Sequence, residues 1–134
     1  MIIVSACLAG VNCNYKGKNS EDASVVKLVN EGLAIMVCPE QLGGLTTPRP
    51  PAEIKDGKVF TEEGADVTEE FLHGANEVLN ICIKYNCQKA ILKSESPSCG
   101  CGKIFDGNFN GTLIDGDGIT TALLKEYGIE VEVK

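Results

Sequence analysis

The 134-residue sequence has no tryptophan, one histidine and a single arginine, and only 5 % of it is aromatic. With so few rings, its core must be built mostly from Val, Ile, Leu and Ala. The lone histidine, His73, leaves no Ser-His triad available. It lies beside the apolar stripe of an expected helix and reads as solvated. Positive charge is scarce too: 12 Lys and Arg against 19 Asp and Glu leave a net −7. That sign argues against a duplex nucleic-acid surface, so no nucleic-acid polymer is expected as partner. No apolar run approaches the roughly 20 residues of a membrane span. Met1-Ile2-Ile3-Val4 lacks the basic start of a secretory leader. A cytoplasmic protein without a membrane partner is therefore expected. There is no C-x-x-C motif, and the glycine-rich stretch 100–118 holds no phosphate loop. Asp115-Gly116-Asp117-Gly118 lacks the spaced acidic ligands of a calcium loop. Cysteine, by contrast, is plentiful, with seven residues. In a reducing compartment these read as metal ligands or reactive thiols before they read as disulfides.

The length and the 43 % apolar content suit a single domain spanning residues 1–134 with a proper core. Met1–Val4 reads as a buried strand. Ser20 is an expected N-cap for a helix carrying Val25, Val26, Leu28 and Val29, which Gly32 ends. Leu33–Val37 reads as a second strand. Strand, helix and strand in so few residues form a βαβ unit, so the two strands should be parallel. The stretch 38–53, rich in Pro and Gly, is expected to hold neither regular helix nor central strand. Asp56-Gly57 signals a hairpin between Ala52–Ile54 and Lys58–Phe60. Asp66 or Thr68 should cap a helix with Phe71, Ala75, Val78, Leu79 and Cys82 on one face. Lys89–Leu92 is a third strand. A glycine-rich loop or hairpin follows over 102–118, then a helix capped by Asp117, and a half-exposed edge strand at Ile129, Val131 and Val133. The class is α/β, with a mainly parallel sheet flanked by helices.

Three strands hand over to thiols: Ile2-Ile3-Val4 to Cys7, Leu33–Val37 to Cys38, and Ala90-Ile91-Leu92 to Cys99. Parallel strands would bring these ends to one edge, where open α/β sheets put their ligands. Three thiolates there could hold a [4Fe–4S] cube with one iron free of protein ligands, or zinc. They could equally be small buried hydrophobes. Cys13 and Cys101 lie close enough to stand in as ligands, whereas Cys82 and Cys87 read as core. Glu40, just after Cys38-Pro39, could exchange protons with a substrate or orient water; it could instead anchor the Gly43-Gly44 backbone. Ser94, Ser96 and Ser98 could cap their loop or bond cluster sulfurs, and Ser96 is best set for substrate contact. Arg49, between two prolines, could bind an anion or a carbonyl, or pair with Glu40 or Glu53. From the residues alone, a zinc-holding structural or binding module without catalysis remains an alternative, as does a metal-free thiol redox protein or sulfur carrier.

The segments Ser5-Ala6-Cys7-Leu8-Ala9-Gly10-Val11-Asn12-Cys13, Cys38-Pro39-Glu40-Gln41-Leu42-Gly43-Gly44-Leu45, Pro48-Arg49-Pro50-Pro51-Ala52-Glu53 and Lys93-Ser94-x-Ser96-Pro97-Ser98-Cys99-Gly100 together resemble the motifs of the DUF523 family, which includes thiouracil desulfidases. So does the tail from Asp106-Gly107 to Gly128-Ile129. The resemblance implies a Rossmann-like domain and a [4Fe–4S] cluster on Cys7, Cys38 and Cys99. It implies Glu40 and Ser96 as reactive neighbours. The substrate would be a thiolated pyrimidine such as 2-thiouracil or a related thioamide, its C=S replaced by C=O through water without net electron transfer.

Overall fold

The computed structural model describes all residues, Met1 to Lys134. Four parallel strands, β1 (Ile2–Ser5), β2 (Ala34–Val37), β5 (Lys89–Leu92) and β8 (Glu130–Val133), form one sheet in the order β2-β1-β5-β8. The chain steps outward from β1 to β2, then returns to add β5 on the other side of β1. The order of travel therefore reverses between β1 and β5, which opens a crevice at their carboxyl ends.

Alternation along the strands explains why these short runs are almost wholly apolar. Ile3, Ala90 and Leu92 pack with Val78 and Leu79 of helix α3 (Thr68–Lys84) and Leu124 of helix α4 (Ile119–Glu126). Val4 and Ile91 face the other way, onto Val25 and Leu28 of helix α1 (Ala23–Asn30). Both faces are thus covered, as a parallel sheet requires. On α3 the buried positions Phe71, Gly74, Ala75, Val78, Leu79 and Cys82 recur at helical spacing and form its inner stripe.

Two antiparallel ribbons stand apart from this sheet. One pairs β3 (Ala52–Lys55) with β4 (Lys58–Thr61) across a turn whose Asp56 and Gly57 both have positive φ, 51° and 77°. The other pairs β6 (Lys103–Phe105) with β7 (Leu113–Asp115). The first ribbon is fastened to the body by Val59, Val67 and Phe71. No helix is long and apolar enough to cross a membrane.

Four local expectations need correction. Neither Asp66 nor Thr68 holds the N-cap position of α3; Val67 does, with Asp66 accepting from the Thr68 N–H at 2.9 Å. The N-cap of α1 is Asp22, which accepts from the Ser24 and Val25 N–H groups at 3.0 and 3.3 Å, and not Ser20. Asp117 does not cap α4; Gly118 holds the cap position, and Asp117 instead accepts from the Gly102 N–H and from Lys125. The Pro-rich stretch does hold a helical turn, α2 (Pro39–Leu42), with proline in its first turn, where its missing N–H costs nothing. This turn lies directly on α3. A Cβ on Gly43 would come within 2.0 Å of Glu70 O, and one on Gly74 within 1.9 Å of Pro39 O. Only glycine allows that backbone approach of α3 to the turn that carries Glu40.

Candidate functional site

A cavity of about 580 Å³ opens at the carboxyl edge of β1, β2 and β5, and Cys7, Cys13, Cys38 and Cys99 all line it. Each thiol arrives by a different route. Cys7 sits on a single 3-10 turn, Ala6–Ala9, that directly continues β1. Cys38 directly follows β2 and occupies the N-cap position of α2. Cys99 lies in the loop after β5, its N–H given to Ser96 Oγ at 3.0 Å and its carbonyl taken by Thr121 Oγ1 at 2.8 Å. Cys13 is buried beside Cys7 and Cys38, and its carbonyl accepts from Cys38 Sγ at 3.7 Å. Cys101 lies outside the cavity lining and keeps company with Asp117 and Lys125. Cys82 and Cys87 are in the core. All seven cysteines are free. No three Cys, His, Asp or Glu side chains are gathered tightly enough for one metal ion.

The thiols differ in acidity. A hydrogen bond from Cys13, helped by the Gln41 N–H and the Arg49 charge, lowers Cys38 to about 6 despite partial burial. The Cys13 thiol also lowers Cys7, and Cys13 itself, beside these two thiols, is raised. Burial pushes Cys99 up to about 12, although the Ser5 hydroxyl acts in the opposite direction. The Ser5 hydroxyl lies 3.4 Å from Cys99 Sγ and accepts the Lys93 N–H at 2.9 Å, tying the ends of β1 and β5 together.

Beside the thiols runs a chain of polar groups. Glu40 accepts from Arg49 Nε at 3.0 Å on one carboxylate oxygen and from Ser98 Oγ at 2.9 Å on the other. Ser98 has one proton and three acceptors within reach: Glu40 at 2.9 Å, Ser96 Oγ at 3.0 Å and Cys99 Sγ at 3.6 Å. The nearer, charged carboxylate takes it. Ser96 Oγ, 3.0 Å from Ser98 Oγ, must then be the donor of that contact. Ser96 Oγ also accepts the N–H groups of Ser98 and Cys99 at 3.1 and 3.0 Å. One donor and two acceptor sites are a hydroxyl's full capacity, so Ser96 is saturated at rest. Ser98, 1 % exposed, is the link between Ser96 and Glu40. Arg49 pairs with Glu40 rather than Glu53, and its remaining nitrogens bond Thr47 Oγ1, the Thr46 carbonyl and the Cys13 carbonyl. His73 is exposed on α3, away from the cavity.

A profile of the 2-thiouracil desulfurase family matches residues 2–134. The chain belongs to that family. The uncharacterized protein YbbK of Bacillus subtilis (strain 168) is 45 % identical over 141 residues that cover 98 % of this chain and 93 % of that protein. Among solved structures, the [4Fe-4S]-dependent thiouracil desulfidase TudS superposes with a TM-score of 0.95 at 47 % identity, over 99 % of this chain and 89 % of that one.

Two features of this family member's cavity had no part in the reading of its sequence. Ser5 reads from sequence as the start of the loop after the first strand, whereas it is the buried last residue of β1. Phe105 and Phe109, with Glu53, form a cavity wall contributed by the two ribbons. Nothing in their spacing pointed to it.

Proposed function

We propose that this chain, acting as one Rossmann-like domain over residues 1–134, is a desulfidase that converts a thiolated pyrimidine such as 2-thiouracil to its carbonyl counterpart. Its cofactor would be a [4Fe–4S] cluster held by Cys7, Cys38 and Cys99. The observation that carries this reading is the meeting of three strand-end thiols with the Glu40–Ser98–Ser96 chain in one cavity of ligand size.

The donor set fits such a group. Thiolates are soft ligands suited to iron–sulfur clusters, and two of the three thiols are already biased toward the thiolate. A cube seats each thiolate on a separate iron, so its ligands need not converge as those of one zinc ion must. Seven free thiols also suit a reducing compartment, the cytoplasm.

When bound, the cluster supplies an iron open to the substrate's sulfur and acting as a Lewis acid on the C=S group. The protein's own part is proton handling. Glu40, fixed in orientation by Arg49, accepts a proton from the water that adds to the ring carbon, and holds it on the oxygen facing Ser98. Ser98 hands a proton on to Ser96, whose hydroxyl must leave one of its backbone bonds to reach the substrate. The sum is water plus thiocarbonyl giving carbonyl plus hydrogen sulfide, with no electrons exchanged.

The test is anaerobic reconstitution with iron and sulfide, followed by measurement of sulfide released from 2-thiouracil. Glu40→Gln should keep the iron and lose activity by about 10²–10⁴-fold. Full activity in that variant would remove Glu40 from the reaction.

A further inference from the structure

Four non-glycine residues have positive φ: Asp56, Asn86, Glu95 and Phe109. Asp and Asn tolerate that region, but Glu and Phe do not. The two intolerant residues both line the cavity. Strain retained at a cavity wall points to a function for the strained side chain.

Phe109 sits in the turn between β6 and β7 with φ 54°. The turn is held from outside. One carboxylate oxygen of Glu53, on β3, accepts the N–H groups of Gly107 and Phe109 at 3.0 and 3.1 Å. Lys55 Nζ donates to Asn108 Oδ1 at 2.9 Å. Gly107 presses so close to β3 that a Cβ there would lie 2.7 Å from Ile54 O. The first ribbon thus clamps the turn of the second, and the clamp sets Phe109 in the cavity wall. The sequence has only seven aromatic residues, three Tyr and four Phe. Three of them, Tyr15, Phe105 and Phe109, border this one cavity. Such a concentration of rings suits a flat, π-rich ligand, because ring faces stack without needing matched hydrogen bonds.

We infer that Phe109 is the platform on which the substrate ring stacks, and that Glu53 is the positioning residue that holds it there. The inference rests on the desulfidase reading for the identity of the ring, a thiolated pyrimidine. It adds what selects that ring over an open-chain thioamide.

The experiment uses anaerobically reconstituted holoprotein titrated calorimetrically with uracil, which has the ring but no sulfur and is read without turnover. Phe109→Gly removes the ring and suits the backbone angle. It should raise the uracil Kd and the KM for 2-thiouracil at least about tenfold, with kcat changed less than about threefold. The visible spectrum and iron content should match wild type, and Tm should not fall. Phe109→Tyr should bind uracil within about twofold of wild type, since the ring face remains. Glu53→Ala should weaken uracil binding in the same direction, while Glu53→Gln, whose amide oxygen can accept the same two N–H groups, should not. Turnover of thioacetamide, which has no ring, should be unaffected by Phe109→Gly. The inference is overturned if wild type fails to bind uracil or if Phe109→Gly binds it as tightly. It is also overturned if that variant loses Tm and both activities together, the mark of a merely structural residue. Wild type that binds uracil yet releases no sulfide from 2-thiouracil contradicts the desulfidase reading alone; the uracil titration still decides the role of Phe109.

Discussion

All three guanidinium nitrogens of Arg49 are committed to Glu40, Thr47, Thr46 and Cys13, and its side chain is only 5 % exposed. A lysine would keep the charge but not the planar fork that spans these acceptors. Arg49→Lys should destabilise the cluster-free protein by about 2 kcal/mol through lost charge-assisted bonds to buried acceptors; an unchanged urea midpoint would contradict this. Cys38 makes a second residue-scale prediction. A thiol lowered to about 6 loses its proton as pH rises through 6, so at pH 7 roughly nine in ten copies are thiolate. Iodoacetamide labelling of Cys38 in the cluster-free protein, followed by mass spectrometry, should therefore rise with a midpoint near 6. A midpoint near 9, the ordinary value, would mean that the Cys13 contact does not operate. Cys99, raised to about 12 by burial, should stay unlabelled across that range. Several of these residues could be picked from the sequence because thiols and a carboxyl followed apolar runs. The partner of Arg49 could not. Glu40 and Glu53 are both near it in the chain, and the choice is made by the ribbon turn, which draws Glu53 away to Gly107 and Phe109.

Among the elements, α2 and α3 show how little spacing tells of backbone contact. The proline-rich run after Cys38 reads as irregular, yet Pro39 opens a helical turn whose backbone rests on α3 through Gly43 and Gly74. Gly74 sits mid-helix, where glycine normally weakens the helix and alanine would stabilise it. Here Gly74→Ala should instead destabilise by about 3 kcal/mol, because the added methyl meets Pro39 O with no space to yield. It should also lower desulfidase activity by displacing Glu40. A variant as stable as wild type in urea would show that the two backbones are not in contact. The long helix and the parallel strands were legible because their apolar periods are strong. The helix caps at Asp22 and Gly118 were not, since several capping residues compete within a few positions.

For the whole molecule, the reversal of strand order between β1 and β5 is what unites distant parts of the chain. It brings Cys7, Cys38 and Cys99 to one edge, and the two ribbons wall that edge into a cavity. The parallel βαβ unit was readable from sequence; which side of β1 would receive β5 was not, because no local feature encodes the order of strands. The measurement that bears most directly on this account is the iron and acid-labile sulfide content of anaerobically reconstituted protein, wild type beside Cys38→Ser. The account predicts about four irons and four sulfides per chain in wild type and almost none retained in the variant. Zinc without labile sulfide in wild type, or a full cluster surviving in Cys38→Ser, would contradict it.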